Sequence, residues 1–157
     1  MIAVRKATRK DTGTFLSLLR ALAKFEHLDP PSKAGERRLV EDIFKKKRIF
    51  LLLGFVGNEP ASYALYFFTY SSFLARPTLY LEDLFVSPKF RGQKVGTCMF
   101  KELVKIAKKE RCGRIEWSVL TWNKNAIKFY EKLGAKRLKE WYFYRLDSSH
   151  IESFAKD

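Results

Sequence analysis

Apolar residues recur at helical spacing in four stretches of this chain and gather into short, near-continuous runs in six others. The first run, IAVRKA (2–7), reads as a strand. Thr8 and Asp11 then stand at the spacing of a capping box. Phe15, Leu18, Leu19, Leu22 and Phe25 follow at helical intervals and predict a helix of about four turns. LDPPS breaks it, and a more charged helix is expected over 36–46, with Leu39, Val40, Ile43 and Phe44 on one side. The runs at 48–56, 61–73 and 78–87 read as strands, the first two joined by the turn GNEP. From Gly96, the residues Met99, Phe100, Leu103, Val104, Ile106 and Ala107 trace a helical stripe. RIEWSVL (114–120) reads as a strand. A helix is expected over 123–134, between an Asn123 N-cap and a Gly134 stop, and a closing strand over 138–146. The predicted order is β α α β β β α β α β, a mixed α/β (α+β) arrangement. No repeat or linker interrupts it, so one domain over 1–157 is expected.

Composition narrows the class. With 46% apolar and 15% aromatic residues the chain has material for a real core. Lys plus Arg reaches 31 against 17 Asp plus Glu, a net charge of +14. That excess concentrates anions at the surface without choosing among nucleotides, phosphates, nucleic acid and acidic lipid. Cys98 and Cys112 lack CxxC spacing and only His27 and His150 accompany them, so neither a metal site nor a disulfide framework is expected. The N-terminus has no apolar segment of the secretory kind. The run IFLLLGFVG (49–57) is too short to span a bilayer. A soluble, cytoplasmic protein without membrane partners is the expectation.

One stretch carries chemistry. FRGQKVGTCMFKEL (90–103) sets Gly92, Gly96, Arg91 and Lys94 at the mouth of the predicted helix. A helix N-terminus exposes unpaired N–H groups and the positive end of its dipole. Glycines ahead of it let several N–H groups converge on one oxyanion, which makes an anion cradle with phosphate as the expected guest. Neither a Walker P-loop nor a GxGxxG dinucleotide fingerprint is present. Taken alone, the fragment fits an ordinary strain-relieving turn equally well.

The flanking residues decide between the two. RGQKVG after LEDLFVSPKF closely resembles the acyl-CoA-binding motif of the GNAT acetyltransferase superfamily, and WNKNAIKFYEKLGAKR is similar to that superfamily's second diagnostic segment. ALAKFEH, YFFTYSSF, LYLEDLFVSPKFRGQKVG and WNKNAIKFY together look most like the spermidine/spermine (diamine) N-acetyltransferase branch, including its thialysine-acetylating relatives. The resemblance implies a GNAT acyl-CoA N-acyltransferase fold: a mixed, mostly antiparallel sheet with a splayed parallel strand pair, flanked by helices. It implies acetyl-CoA as co-substrate, no metal, a small-molecule amine or a lysine side chain as acceptor, and a homodimer.

The resemblance also implies roles, residue by residue. Backbone groups of Leu84, Phe85 and Val86 would pair with the pantetheine arm. Arg91, Gly92, Gln93, Lys94, Val95, Gly96 and Thr97 would surround the pyrophosphate, and Asn123, Lys124, Asn125 and Ala126 would touch the cofactor from the next helix. Tyr130 matches the general acid, and a phenol with a reference pKa of about 10 keeps its proton at neutral pH. Glu82 and Asp83 are consecutive on a strand and so are expected on opposite faces, with Glu82 in the acceptor site as a base acting through water or as the anion holding the ammonium. Phe25 and Glu26 match a pair lining the acceptor entrance, and Glu140 is a further acceptor-site candidate.

Two departures stand out. Lys94 fills the place of the motif's first glycine; a helical backbone there is expected, which would make the lysine cheap and aim its ammonium at phosphate. In TYSSF, serines replace the acidic residue and tryptophan of the polyamine enzymes, so a polycationic acceptor fits poorly beside a +14 charge. A basic nucleic-acid-binding module and a non-catalytic acyl-CoA sensor are the competing readings. The acidic pair inside the motif and the lack of any RRM, KH or zinc signature count against nucleic acid.

Overall fold

The computed structural model describes residues 1–155. It contains five strands, β1 (Ile2–Lys6), β2 (Phe50–Val56), β3 (Glu59–Ser71), β4 (Arg76–Val86) and β5 (Arg114–Trp117), in one sheet of order β1-β2-β3-β4-β5. Pairing is antiparallel except between β4 and β5, which run parallel. Helices α1 (Thr12–Glu26) and α2 (Lys33–Phe44) precede β2, α3 (Val95–Lys109) links β4 to β5, and α4 (Lys124–Lys132) and α5 (Ser148–Phe154) follow. The chain forms two compact units, Met1–Ser118 and the segment from Val119 onward.

Local chemistry fixes most of these boundaries. The Thr8 N–H donates to the Asp11 carboxylate at 2.7 Å, the reciprocal half of the expected capping box, and Arg5 grips the same carboxylate with two bonds of 2.8 Å. Helix α1 then runs 15 residues and stops where His27 turns left-handed at φ 58°. Helix α2 begins three residues ahead of its expected start, because Ser32 caps it by accepting from the Gly35 N–H at 3.2 Å.

The sheet has two covered faces. Leu51, Leu53, Tyr63, Leu65 and Phe85 pack with Phe15 and Leu18 of α1 and Ile43 of α2. Against the other face lies α3, burying Val95, Met99, Phe100, Leu103 and Ala107. Gly54 sits where β2 passes under that helix. A Cβ there would stand 2.1 Å from Ser62 Oγ and 2.8 Å from Met99 Sδ, so only glycine fits without a shift.

Two features of β4 position the site. Its parallel pairing with β5 covers only Thr78–Leu81, so beyond Leu81 β4 has a partner strand on its β3 side alone among the described residues. At that same point the β3–β4 ladder slips. Leu81 faces Tyr66 but Asp83 faces Leu65, leaving Glu82 as an extra residue, a β-bulge. The alternation expected of Glu82 and Asp83 is therefore suspended. Leu81 lies on the face away from α1, while Asp83 and Phe85 lie toward it.

The second unit follows its sequence in part. Asn123 caps α4 by accepting from the Ala126 N–H at 3.2 Å, and Gly134, at φ 87°, ends the turn beyond it. The strand expected over 138–146 is absent. That segment is irregular, and Trp141, Tyr142, Phe143 and Tyr144 are each at least three-quarters exposed. A strand needs a neighbour's backbone to complete its hydrogen bonds, whereas a helix supplies its own. Helix α5, which the hydrophobic pattern did not announce, begins at Asp147, whose carboxylate accepts from the His150 N–H at 3.1 Å.

Candidate active site

Leu84, Phe85 and Val86 occupy the stretch of β4 that has lost its β5 neighbour, opposite Ala64, Tyr63 and Ser62 of β3. On the side away from β3 this stretch has no partner strand and is able to accept another extended chain of amides, although the Val86 carbonyl already accepts from Arg91 Nε. Pro88–Phe90 form one turn of 3-10 helix, and the chain then loops through Arg91–Lys94 into α3. Gly92 needs its missing side chain, since it lies at φ 75°.

Lys94 departs from expectation. As the N-cap of α3 it adopts φ 64° and ψ 7°, the left-handed region, and not the helical backbone the sequence suggested. The reason is the angle at which the loop enters the helix: the last residue before α3 must reverse the chain, a job glycine does without strain. The first helical bond runs from Cys98 N–H to Lys94 O at 3.0 Å. The N–H groups of Val95, Gly96 and Thr97 thus have no intrahelical acceptor and point out of the helix mouth. With the dipole of a 15-residue helix behind them, they suit a diphosphate.

Side chains brace this loop. Gln93 Nε2 donates to Lys89 O at 3.0 Å, and Arg91 Nε donates to Val86 O at 3.0 Å. The Arg91 guanidinium lies 4.5 Å from the ring centroid of Phe25 and 5.9 Å from that of Phe85. Arg91 therefore ties the cradle to the end of α1 by cation–π contact. Phe25 and Glu26 are the last two residues of α1 and partly buried.

Around this end of β4 the acidic groups collect. Asp83 is partly buried and accepts a hydrogen bond from the Tyr63 hydroxyl at 3.1 Å. Burial, joined by the negative charges of Glu82 and Glu26, pushes the Asp83 carboxyl up to about 6, although the Tyr63 bond pulls the other way. Burial also raises the carboxyl of Glu26. Tyr63 has no exposed surface and packs edge-on to Phe15 at 5.3 Å; burial first, then the Asp83 charge, drives its hydroxyl far above the usual phenol range. Glu82 is exposed on the bulge. Among the described residues, no group of three or more histidines, cysteines and carboxylates is placed to hold a metal ion. Nor is any helix among them long and apolar enough to cross a membrane.

The structure thus brings Phe25, Glu26, Glu82, Leu84–Val86 and Arg91–Thr97 to one end of the first unit. In the second unit, Asn123 to Ala126 form the cap and first turn of α4. Tyr130 lies one turn on, its ring 5.3 Å from that of Phe129. Glu140 is exposed on the irregular segment. Sequence reasoning missed Asp83 and Tyr63. Asp83 was set aside by the alternation rule that the bulge defeats. Tyr63 lies in an apolar run whose pattern marks it only as core.

The Acetyltransferase (GNAT) family model matches residues 16–135. A thialysine N-epsilon-acetyltransferase of Bos taurus is 32% identical over 166 residues, covering 98% of this chain and 97% of its own. An L-ornithine N5-acetyltransferase of Arabidopsis thaliana is 40% identical over 96 residues, covering 61% of this chain and 42% of its own. Among solved structures, an integron cassette protein of V. cholerae superposes with a TM-score of 0.80 at 22% identity, covering 99% of this chain and 98% of that one, a likeness of fold.

Proposed function

Because the chain belongs to the acetyltransferase (GNAT) family, we propose that it moves the acetyl group of acetyl-CoA onto a primary amine by direct attack in a ternary complex. The observation that carries this reading is the open edge of β4 leading directly into the unpaired N-terminus of α3. One offers amide partners to a pantetheine arm; the other offers a seat for the diphosphate at its end.

In this reading Leu84, Phe85 and Val86 align the arm through their backbone. The Gly92–Thr97 loop and helix mouth hold the pyrophosphate, with Arg91 at the rim. Asn123, Lys124, Asn125 and Ala126 add contacts from α4, and Tyr130 gives the departing sulfur its proton. Phe25, Glu26 and Glu140 line the acceptor side, where Glu82 holds the ammonium by charge. The acceptor is a small amino acid bearing a side-chain amine. Two observations support that choice: relatives are named for thialysine and L-ornithine, and Ser71 and Ser72 stand where the resemblance would put the acidic residue and tryptophan of a polyamine enzyme. The chain acts as one domain over 1–157, in the cytoplasm and as a homodimer. The exposed aromatic run of 141–144 supports the dimer, since it is apolar surface that a second copy would cover.

The test is a panel of amines, including ornithine, lysine and spermidine, with acetyl-CoA, reading free thiol. Side-chain amines of amino acids should be acetylated fastest. Tyr130→Phe should lower kcat by about 10²–10⁴-fold with the fold intact. Glu82→Gln should raise KM for the amine. Calorimetry that finds no heat with acetyl-CoA refutes the reading; binding without thiol release on any amine makes the protein a sensor.

A further inference from the structure

The bulge at Glu82 does more than re-aim one side chain. Without it, Leu81 and Asp83 would share a face; with it, Leu81 stays on the face away from α1 while Asp83 turns toward Tyr63. We propose that Asp83, held by the buried Tyr63 hydroxyl, is the base that takes the proton from the acceptor ammonium, with Tyr63 as its positioning residue. This rests on the acetyl-transfer reading above and leaves Glu82 its role as the anion that holds the amine.

The geometry is that of a poised acceptor. Tyr63 Oη donates to Asp83 Oδ2 at 3.1 Å, which fixes the carboxylate and occupies one of its two oxygens. Tyr63 keeps its own proton, because burial and the adjoining carboxylates disfavour the phenolate. The charged groups around Asp83 are Glu82 on its own strand, Glu26 at the end of α1, and Arg91, whose guanidinium rests on the rings of Phe25 and Phe85. Burial and the two carboxylates set Asp83 near 6, and a base there holds the proton about a hundred times better than an ordinary aspartate near 4. Bound ammonium then meets both an attracting charge at Glu82 and a receptive oxygen at Asp83.

The step balances. One N–H bond of the ammonium breaks and its proton goes to Asp83. The freed lone pair forms the N–C bond to the thioester carbonyl carbon, and the C–S pair leaves on sulfur. Sulfur takes the Tyr130 proton, the second nitrogen proton restores Tyr130, and Asp83 releases its proton to water.

The experiment is kcat/KM for the amine against pH on the full chain, with acetyl-CoA affinity measured in parallel. Wild type should lose activity on the acid side with a midpoint near pH 6, Asp83 being a base in the free enzyme. Asp83→Asn should remove that limb and lower kcat/KM at neutral pH by about a hundred-fold or more, with acetyl-CoA binding unchanged. Tyr63→Phe removes a bond that lowers the Asp83 pKa, so its limb should move to higher pH. Glu26→Gln removes a charge that raises it, so its limb should move to lower pH. A merely structural role would move neither. An Asp83→Asn enzyme that keeps the limb, or a limb that ignores both neighbours, overturns the assignment of Asp83 alone. A wild type that binds acetyl-CoA but turns over no amine overturns the transfer reading itself, and this base with it.

Discussion

Lys94 offers the sharpest quantitative test of how the cradle is built. It sits at φ 64° and ψ 7° as N-cap of α3, where a side chain bearing Cβ costs about 1–2 kcal/mol relative to glycine. Glycine returns part of that advantage, because it loses about 0.5–1 kcal/mol more backbone entropy on folding. The net gain expected for Lys94→Gly is about 1 kcal/mol, which in a chain of this size raises the melting temperature by about 2–4 °C. Lys94→Ala serves as the control: it removes the ammonium but keeps Cβ and its strain, so its melting temperature should stay with wild type. Cofactor binding separates the same two contributions. If the left-handed turn persists in the complex, its strain is present before and after binding and cancels. Both variants should then bind acetyl-CoA a few-fold more weakly, by loss of one exposed charge near phosphate, about 0.5–1 kcal/mol. Differential scanning calorimetry and titration calorimetry read the two effects. Equal melting temperatures for the glycine and alanine variants would refute the strain argument. Tighter binding by glycine alone would show that the turn must change to receive the diphosphate.

Two further tests probe the scaffold beneath the site. Gly54→Ala should destabilise by about 1–3 kcal/mol, because its methyl would meet Ser62 Oγ and Met99 Sδ inside the β2–α3 contact. Adding Ser62→Ala, which deletes the nearer of those atoms, should recover part of the loss in thermal melts. Asp11→Ala should cost about 1–2 kcal/mol near neutral pH through the lost cap and its Arg5 bonds. The Arg5 guanidinium holds the Asp11 carboxyl well below its usual range, so the wild-type carboxylate stabilises the fold above about pH 4, the unfolded value. That advantage is lost as pH falls through the lower folded value. The difference between wild type and variant in urea melts should therefore shrink steadily below pH 4, and a gap that is constant with pH would count against the carboxylate as its source.

The sequence by itself determined α1, α3 and α4, the Thr8–Asp11 box ahead of α1, the Asn123 cap of α4, and the first five strands, which make the sheet. These depend on residues three or four apart, whose interactions the chain carries wherever it goes. It also made the Gly-rich mouth of α3 and its family resemblance legible, because a helix terminus is a local object. Tertiary structure decided the rest. The bulge at Glu82 is a property of the β3–β4 register and not of the LED triplet, so only the partner strand could turn Asp83 toward Tyr63. The left-handed backbone of Lys94 follows from the path of the chain between β4 and α3, which no pattern of side chains encodes. The segment 138–146 carries a run of strand-favouring aromatics but, among the described residues of the second unit, no strand to join, and an extended chain takes its hydrogen bonds from a neighbour.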